Sequence, residues 1–347
     1  MAKGILKAPL IVLSRLYQGT VRLRRGLYSS GLWQVQRLRE PVISVGNLTM
    51  GGTGKTPTVV ALARLLQKEG CLVSVLGRGY KGENNGRPLL VSDGKSLLTS
   101  SRFAGDEALV IAKNLPGAIV AVGTDRSEVG RWVEQRFAVD AHILDDGFQH
   151  LRLYRDLNVL LIDVTNPFGG DYLPPLGRLR ESLAGIRRAD VVLLTRTQPG
   201  HEYKNLVEQV RCYKALPCLR VTQRLLVSSV SGDSKLPRLE QTAALAFAGI
   251  AHPAQFFDSL RREGMRLIRT MSFPDHHRYT ARDVKQIKAR CLEQRIETVV
   301  TTEKDAENLA GATLDPLRLI IVKVVFELDE DEEFRKMLLN SLRETDS

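Results

Sequence analysis

Short apolar runs alternate with longer stretches of helical period along most of this 347-residue chain. The runs at 41–46, 71–76, 118–122, 140–145, 157–163 and 190–195 read as strands, and 57–69, 105–114, 125–136 and 203–214 as helices. That alternation predicts a mostly parallel sheet covered on both faces. A second series begins after about residue 225, with strands at 243–249, 266–270, 296–302 and 318–326 and helices at 253–263, 280–293 and 304–310. Between the two series, 223–240 mixes polar turn signals with a short strand. The pattern predicts a large unit over 1–222, a linker over 223–240, and a smaller α/β unit over 241–347 with a return strand and a C-terminal helix.

The first strand runs into Gly46-Asn-Leu-Thr49-Met50-Gly51-Gly52-Thr53-Gly54-Lys55-Thr56, and a helix follows at once. A glycine-rich turn between strand and helix lets backbone N–H groups of Thr49 to Thr56 close around phosphate oxygens. The positive end of the helix points at the same anion. Lys55 reaches the β/γ-phosphates in such a loop, and the Thr56 hydroxyl binds Mg²⁺. The usual first glycine of the pattern is Thr49 here, so the loop is a variant form. The fold class expected is therefore α/β, a P-loop NTPase-like sheet with a second, smaller α/β domain, and the ligands expected are a nucleoside triphosphate and Mg²⁺.

Composition alters the picture in one respect. A formal net charge of +11 points to an anionic partner. The first acidic residue is Glu40; before it, Lys3, Lys7, Arg15, Arg22, Arg24 and Arg25 interleave with Leu10, Leu13, Leu16, Tyr17 and Val21. No run approaches the roughly 18 apolar residues that span a bilayer, and no cleavage-site context suggests export. A basic helix with one apolar face suits a membrane interface, or packs on the protein's own core. The four cysteines show no metal-ligand spacing and are expected as buried thiols in a reducing compartment.

Four further segments could carry chemistry. His142-Ile-Leu-Asp145-Asp146 is an apolar strand ending in two acids, followed by Gly147-Phe-Gln149-His150. Beside a phosphate loop such an acid holds Mg²⁺. Asp106 and Glu107 open a helix, where acids serve as caps or project into a cleft. Phe273-Pro-Asp-His276-His277 lies between a strand and a helix, and either imidazole could orient a base. Arg126, Arg178, Arg180, Arg187 and Arg188 could receive an acidic ligand. Gly77-Arg-Gly-Tyr-Lys-Gly82 fits a dinucleotide fingerprint, but a loop sequence follows where a helix is required.

As an ordered set, PVISVGNLTMGGTGKTP (41–57), GRGY (77–80), AGDEA (104–108), ILDDGFQH (143–150), LPPLGRLRE (173–181), AGIAHPAQFF (248–257), FPDHH (273–277) and TTEKDA (301–306) resemble the tetraacyldisaccharide 4′-kinase family. The resemblance implies transfer of the γ-phosphoryl group of ATP to the 4′-hydroxyl of a tetraacylated glucosamine disaccharide 1-phosphate, in lipid A biosynthesis. It implies a peripheral or monotopic enzyme on the cytoplasmic face of the inner membrane. Asp106 matches the family's proposed base, paired with a histidine corresponding to His276. Glu107, Asp145, Asp146 and Gln149 match residues around the metal, and Arg126, Arg178 and Arg180 lie where the family contacts its lipid.

Two rivals share parts of this pattern. A membrane-recruited P-loop NTPase switch has the same loop, acids and helix. A nucleic-acid-binding protein has the charge but would need an aromatic–basic strand platform that is missing here, so no nucleic-acid partner is expected.

Overall fold

The computed structural model describes residues 7–198, 200–230, 240, 242–309, 313–328 and 332–343. Its twelve strands form one sheet, in the order β10-β9-β11-β12-β8-β7-β6-β1-β5-β2-β4-β3. The first half comprises β1 (Val42–Asn47), β2 (Val73–Gly77), β3 (Leu89–Asp93), β4 (Ile119–Val122), β5 (Ala141–Asp145), β6 (Leu157–Asp163) and β7 (Val191–Thr195). The long β8 (Cys218–Val230) leads to β9 (Ala243–Ala248), β10 (Arg266–Ser272), β11 (Thr298–Thr302) and β12 (Arg318–Leu328). Pairing is parallel except for β3 with β4 and β8 with β12. Every residue of β1, β5, β6 and β7 is buried, which is why those runs read as apolar rather than alternating.

The helices are α1 (Lys7–Ser29), α2 (Lys55–Lys68), the short α3 (Ser101–Ala104), α4 (Asp106–Asn114), α5 (Arg126–Glu134), α6 (Lys204–Arg211), α7 (Pro253–Arg262), α8 (Ala281–Glu293), α9 (Glu303–Asn308) and α10 (Glu332–Arg343). Val59, Leu62, Ala63 and Leu66 of α2 pack with Ile43 and Val45 of β1 in the largest apolar cluster. Phe334 and Leu338 of α10 join that same cluster, with Phe326 from the end of β12. The chain thus returns from the second half of the sheet to cover the first.

β1 lies between β5 and β6, with Val45 opposite Asp145 on β5 and opposite Val159 on β6. Parallel neighbours bring their C-terminal ends to the same edge, so residues 48–56 and 145–150 emerge side by side. This placement, not the loops themselves, makes one site out of two motifs 90 residues apart.

Two local readings change. β3 occupies a stretch given no element; it is a short edge strand between Pro88 and Gly94, where turn signals dominate the pattern. Residues 223–230, where the linker was expected to carry a short strand, form the second part of β8, paired antiparallel with β12; 231–239 lie outside the described residues. Cys291 is buried, but Cys212 at the end of α6 is exposed, because it follows the last buried position of a short amphipathic helix. All four thiols are free.

α1 stands against the first half of the sheet on a narrow contact. Ser14 is buried and its hydroxyl donates to the Leu173 carbonyl at 2.9 Å. Arg24 donates to the Gln149 carbonyl and Arg25 lies 3.7 Å from Glu181. Ile11, Val12, Leu13, Leu16, Tyr17 and Leu23 remain exposed. No helix among the described residues is long and apolar enough to cross a membrane.

Candidate active site

The phosphate loop is held from both sides. Thr49 pairs with Leu179 in an isolated antiparallel bridge, the Met50 N–H donates to the Arg178 carbonyl at 2.6 Å, and the Arg180 N–H donates to Leu48 at 2.7 Å. The basic 178–180 segment is thereby fixed beside the loop, which its position in sequence did not suggest. On the other side, Asn47 donates to the Thr53 hydroxyl at 2.8 Å, and the Thr195 hydroxyl donates to the Thr53 carbonyl at 3.0 Å. Arg196, ion-paired with Asp163, donates to the Gly52 carbonyl at 2.6 Å.

Two glycines are required by this packing. Gly51 has φ +116°, and a Cβ there would lie 2.2 Å from the Arg178 guanidinium. Gly54, at φ +89°, caps α2, and a Cβ would lie 2.4 Å from the Phe326 ring. Lys55 and Thr56 are then the first two residues of α2, as a phosphate loop requires.

At the end of β5, Asp145 and Asp146 diverge. Asp146 takes a positive φ of 54° and lies 2.6 and 2.8 Å from an Arg180 nitrogen through its two oxygens, with Lys55 Nζ at 3.8 Å. Burial favours its neutral form, but Lys55 and Arg180 outweigh that and hold its pKa below the usual carboxylate range. Asp145 has no such cation in contact. Its Oδ1 is buried without a hydrogen-bond partner, and burial, followed by the charges of Glu107 and Asp146, pushes its pKa well above the ordinary range. A crowded, unpartnered carboxylate beside Glu107 is a place where a divalent cation fits. Among the described residues no group of three or more His, Cys, Asp or Glu side chains could hold a metal by itself. Mg²⁺ needs no such cage, since it keeps waters and phosphate oxygens in its shell.

Gln149 links this corner to the floor, donating to the Asn47 carbonyl at 2.8 Å and to Glu181 at 3.0 Å while accepting from Arg180 at 3.2 Å. Glu181 is buried against Arg188 and Arg25.

The second half of the sheet supplies the opposite wall. His276, with φ +61°, places Nδ1 3.0 Å from Oδ2 and 3.1 Å from Oδ1 of Asp106. Asp106 is buried at the start of α4; burial favours its neutral form, yet His276 and Lys304 draw its pKa below the usual value. His277 points elsewhere. Its Nε2 is 3.1 Å from Asp283, and its ring stacks on Phe273 with centroids 4.9 Å apart. Asp283 closes the capping box of α8, so His277 is part of a helix cap. The geometry assigns the pairing with Asp106 to His276.

The three arginines assigned to lipid contact separate. Arg180 locks Asp146, and Arg178 lies over Gly51 with its guanidinium 3.3 Å from His252. Arg126 is buried at the start of α5, donating to the Thr124 carbonyl; burial and the nearby Arg78 lower its pKa to about 10. It stands behind the Asp145–Asp146 corner as a buried countercharge.

One cleft of about 1530 Å³ is lined by Lys55 and Thr56, by Glu107, Asp145 and Asp146, by Arg180, His276 and Lys304, and also by Tyr17, Val21 and Arg24 of α1; Asp106, Arg126 and Arg178 stand behind its walls. Lys304 and Arg196 are the contributors that sequence reasoning did not single out. TTEKDA was visible as a motif, but nothing local tells that Lys304 faces the cleft while Asp305 is buried, accepting from the Gly249 N–H and Tyr279.

The family model of tetraacyldisaccharide-1-P 4′-kinase, LpxK, matches residues 6–343. The chain belongs to that family. It is 42% identical over 328 residues to the tetraacyldisaccharide 4′-kinase of Geobacter metallireducens, covering 94% of this chain and 95% of that one. With the enzyme of the same name from Syntrophus aciditrophicus it shares 38% over 345 residues, 96% of this chain and 92% of the relative. A crystal structure of LpxK from Aquifex aeolicus in complex with ATP superposes with a TM-score of 0.76 at 32% identity, over 97% of this chain and 99% of that one. Membership in this LpxK family makes the chain a phosphotransferase of the P-loop kinase fold and favours the kinase reading over the NTPase switch.

Proposed function

We propose that this LpxK-family kinase transfers the γ-phosphoryl group of ATP to the 4′-hydroxyl of a tetraacyl glucosamine disaccharide 1-phosphate, with Asp106 as general base. One observation carries the assignment of roles. His276 lines the same cleft as Lys55 and Thr56, and Asp106 is paired with it from behind. Phosphoryl transfer demands mostly alignment and charge neutralisation. Backbone N–H groups from Gly51 to Thr56 hold the phosphate chain, and Lys55 neutralises charge on its β/γ end. Thr56 and Asp145 hold Mg²⁺, with Glu107, Asp146 and Gln149 around it; when bound, the ion neutralises charge on the phosphates. A sugar hydroxyl is a poor nucleophile at neutral pH, so the Asp106 carboxylate takes its proton. Arg178 and Arg180 face the anionic substrate from beside the loop. Arg126, matched to the family's lipid contacts, acts from behind them through its charge.

The two-unit division, 1–222 and 241–347 joined through 223–240, fits a cleft whose walls come from opposite halves of the sheet. α1 lies in the membrane interface, on the cytoplasmic face of the inner membrane where ATP is supplied. Its exposed Leu13, Leu16 and Leu23, with Arg15, Arg22 and Arg24 next to them in sequence, support that reading. Because α1 also lines the cleft, acyl chains can stay in lipid while the sugar reaches the phosphates.

The test is transfer of label from γ-labelled ATP to the disaccharide acceptor in mixed micelles. Label recovered in the organic phase supports the reading. Release of free phosphate alone would leave only the switch.

A further inference from the structure

α1 ends in a turn that leaves its large apolar side chains in water. Gly31 breaks the helical path at φ +74°, and the chain folds back so that the Trp33 N–H donates to the Leu27 carbonyl at 2.9 Å. The Trp33 ring meets Tyr28 edge to face, with centroids 5.2 Å apart. Beyond the turn, the Gln36 N–H donates to the Arg152 carbonyl at 2.7 Å and the Tyr154 N–H to the Gln36 carbonyl at 2.8 Å. The Arg37 guanidinium lies 3.6 Å over the Tyr154 ring. Both ends of the turn are thus fixed, yet Leu32 is 73% exposed, Trp33 45% and Val35 44%.

The helix shows which way this turn faces. Residues three and four apart share one side of a helix, and Val12, Leu16, Leu23 and Leu27 follow that spacing. Val12, Leu16 and Leu23 are exposed. The other side is turned to the protein: Ser14 is buried, Val21 and Arg24 line the cleft, and Arg25 meets Glu181. Because Trp33 is tied to Leu27, the turn prolongs the exposed stripe past the end of the helix. Charge selects the occupant. No acidic residue precedes Glu40, and Arg22, Arg24, Arg25, Arg37 and Arg39 flank the turn in sequence. A second copy of the chain would set like charges together, whereas an anionic lipid surface neutralises them.

We propose that Leu32, Trp33 and Val35 form a second membrane contact, separate from the stripe of α1, that enters the interface of an anionic bilayer. This rests on the interfacial reading of α1 given above. Trp suits that depth, since its ring is apolar while its N–H stays among headgroups. A helix held along one stripe alone is free to roll about its axis. A contact beyond its end, fastened to the 152–154 segment through Gln36 and Arg37, stops that roll. The side of α1 that carries Tyr17, Val21 and Arg24 then keeps one orientation to the lipid surface, and the cleft it lines keeps the same orientation.

The experiment uses the full chain and vesicles of phosphatidylethanolamine and phosphatidylglycerol. The chain has two tryptophans, so Trp132→Phe leaves Trp33 as the sole reporter. On vesicle binding, Trp33 emission should shift to the blue and be quenched by lipids brominated near the headgroup end of their acyl chains. In the wild-type background, Leu32→Ser should weaken partitioning by about tenfold with an unchanged melting profile. Sedimentation in parallel separates two failures. Protein that sediments with vesicles while Trp33 emission stays unshifted and unquenched overturns the proposal and leaves the α1 reading standing, as does a Leu32→Ser protein bound as tightly as wild type. Protein that stays in the supernatant overturns both. A blue shift that grows with protein concentration in the absence of lipid overturns the proposal in favour of a contact between copies. If Trp132→Phe does not fold, the Leu32→Ser partitioning decides.

Discussion

The Nδ1 of His276 lies 3.0 Å from a carboxylate oxygen of Asp106, although 170 residues separate them. The two come from opposite halves of one sheet, Asp106 from the start of α4 and His276 from the loop after β10. Neither could act alone in this geometry. A buried carboxylate needs a partner to stay ionised, and a histidine held at positive φ needs a reason to stay there.

Adjacent histidines should therefore behave in opposite ways. His276→Ala is expected to lower kcat by about 10- to 100-fold while changing stability little. His277→Ala removes a stacked ring and a hydrogen bond to the α8 cap, and should cost about 1–2 kcal/mol with kcat within about twofold. Denaturant melts and steady-state rates on the two variants check both. Reversed effects would mean that the imidazole roles are exchanged.

Gly54→Ala forces a side chain against Phe326 at a left-handed position. About 1–2 kcal/mol of backbone strain comes before any clash is counted. Nucleotide affinity should fall at least tenfold, by equilibrium binding. Adding Phe326→Ala should relieve the clash without restoring affinity, because the φ of +89° persists. Recovery of full affinity in the double variant would show that only the ring contact mattered.

His150 gives the folded state a pH dependence. Burial, then the neighbouring Arg126, pushes its pKa down to about 3, against an ordinary value near 6.5. Below pH 6.5 the unfolded chain takes a proton that the folded chain refuses. Stability is thus complete above about pH 6.5 and is lost as the pH falls toward 3. Between pH 6.5 and 4.5 the share lost through His150 should reach about 2 kcal/mol, opposed by Asp145, whose raised pKa makes the folded chain take up a proton over the same range. His150→Gln should remove that share, read as the difference between the variant and wild-type profiles. An unchanged slope would mean that another group accounts for the acid loss.

The phosphate loop and the Asp145–Asp146 corner were legible in sequence because each is a contiguous motif with apolar flanks on both sides. Parallel pairing of β1 and β5 then joins them, which the alternation of elements already implied. The Asp106–His276 pair was legible only through resemblance, since each residue taken locally reads as a helix cap or a polar loop. Lys304, Arg196 and the bridge from Thr49 to Leu179 were not legible. They depend on how the two halves of the sheet meet, and periodicity carries no information about contacts between distant elements. β8 shows the same limit: its 13 residues were split between a unit and a linker because the partner that stabilises its second part, β12, lies about 100 residues on.

α1 provides a prediction free of chemistry. Leu13, Leu16 and Leu23 are exposed, so changing all three to Ser should leave the melting profile unchanged. Binding to vesicles rich in anionic lipid should weaken by at least about tenfold, given roughly 0.8 kcal/mol per buried CH₂. Sedimentation with vesicles measures this. Undiminished binding would move the membrane contact away from α1.

Single-turnover transfer of γ-labelled phosphate, comparing wild type with Asp106→Asn at saturating ATP, bears most directly on the chemistry. Label should reach the 4′-position of the disaccharide lipid in the wild type, and about 100- to 10,000-fold more slowly in the variant, with ATP affinity within about threefold. A variant that labels the lipid at the wild-type rate would contradict the account.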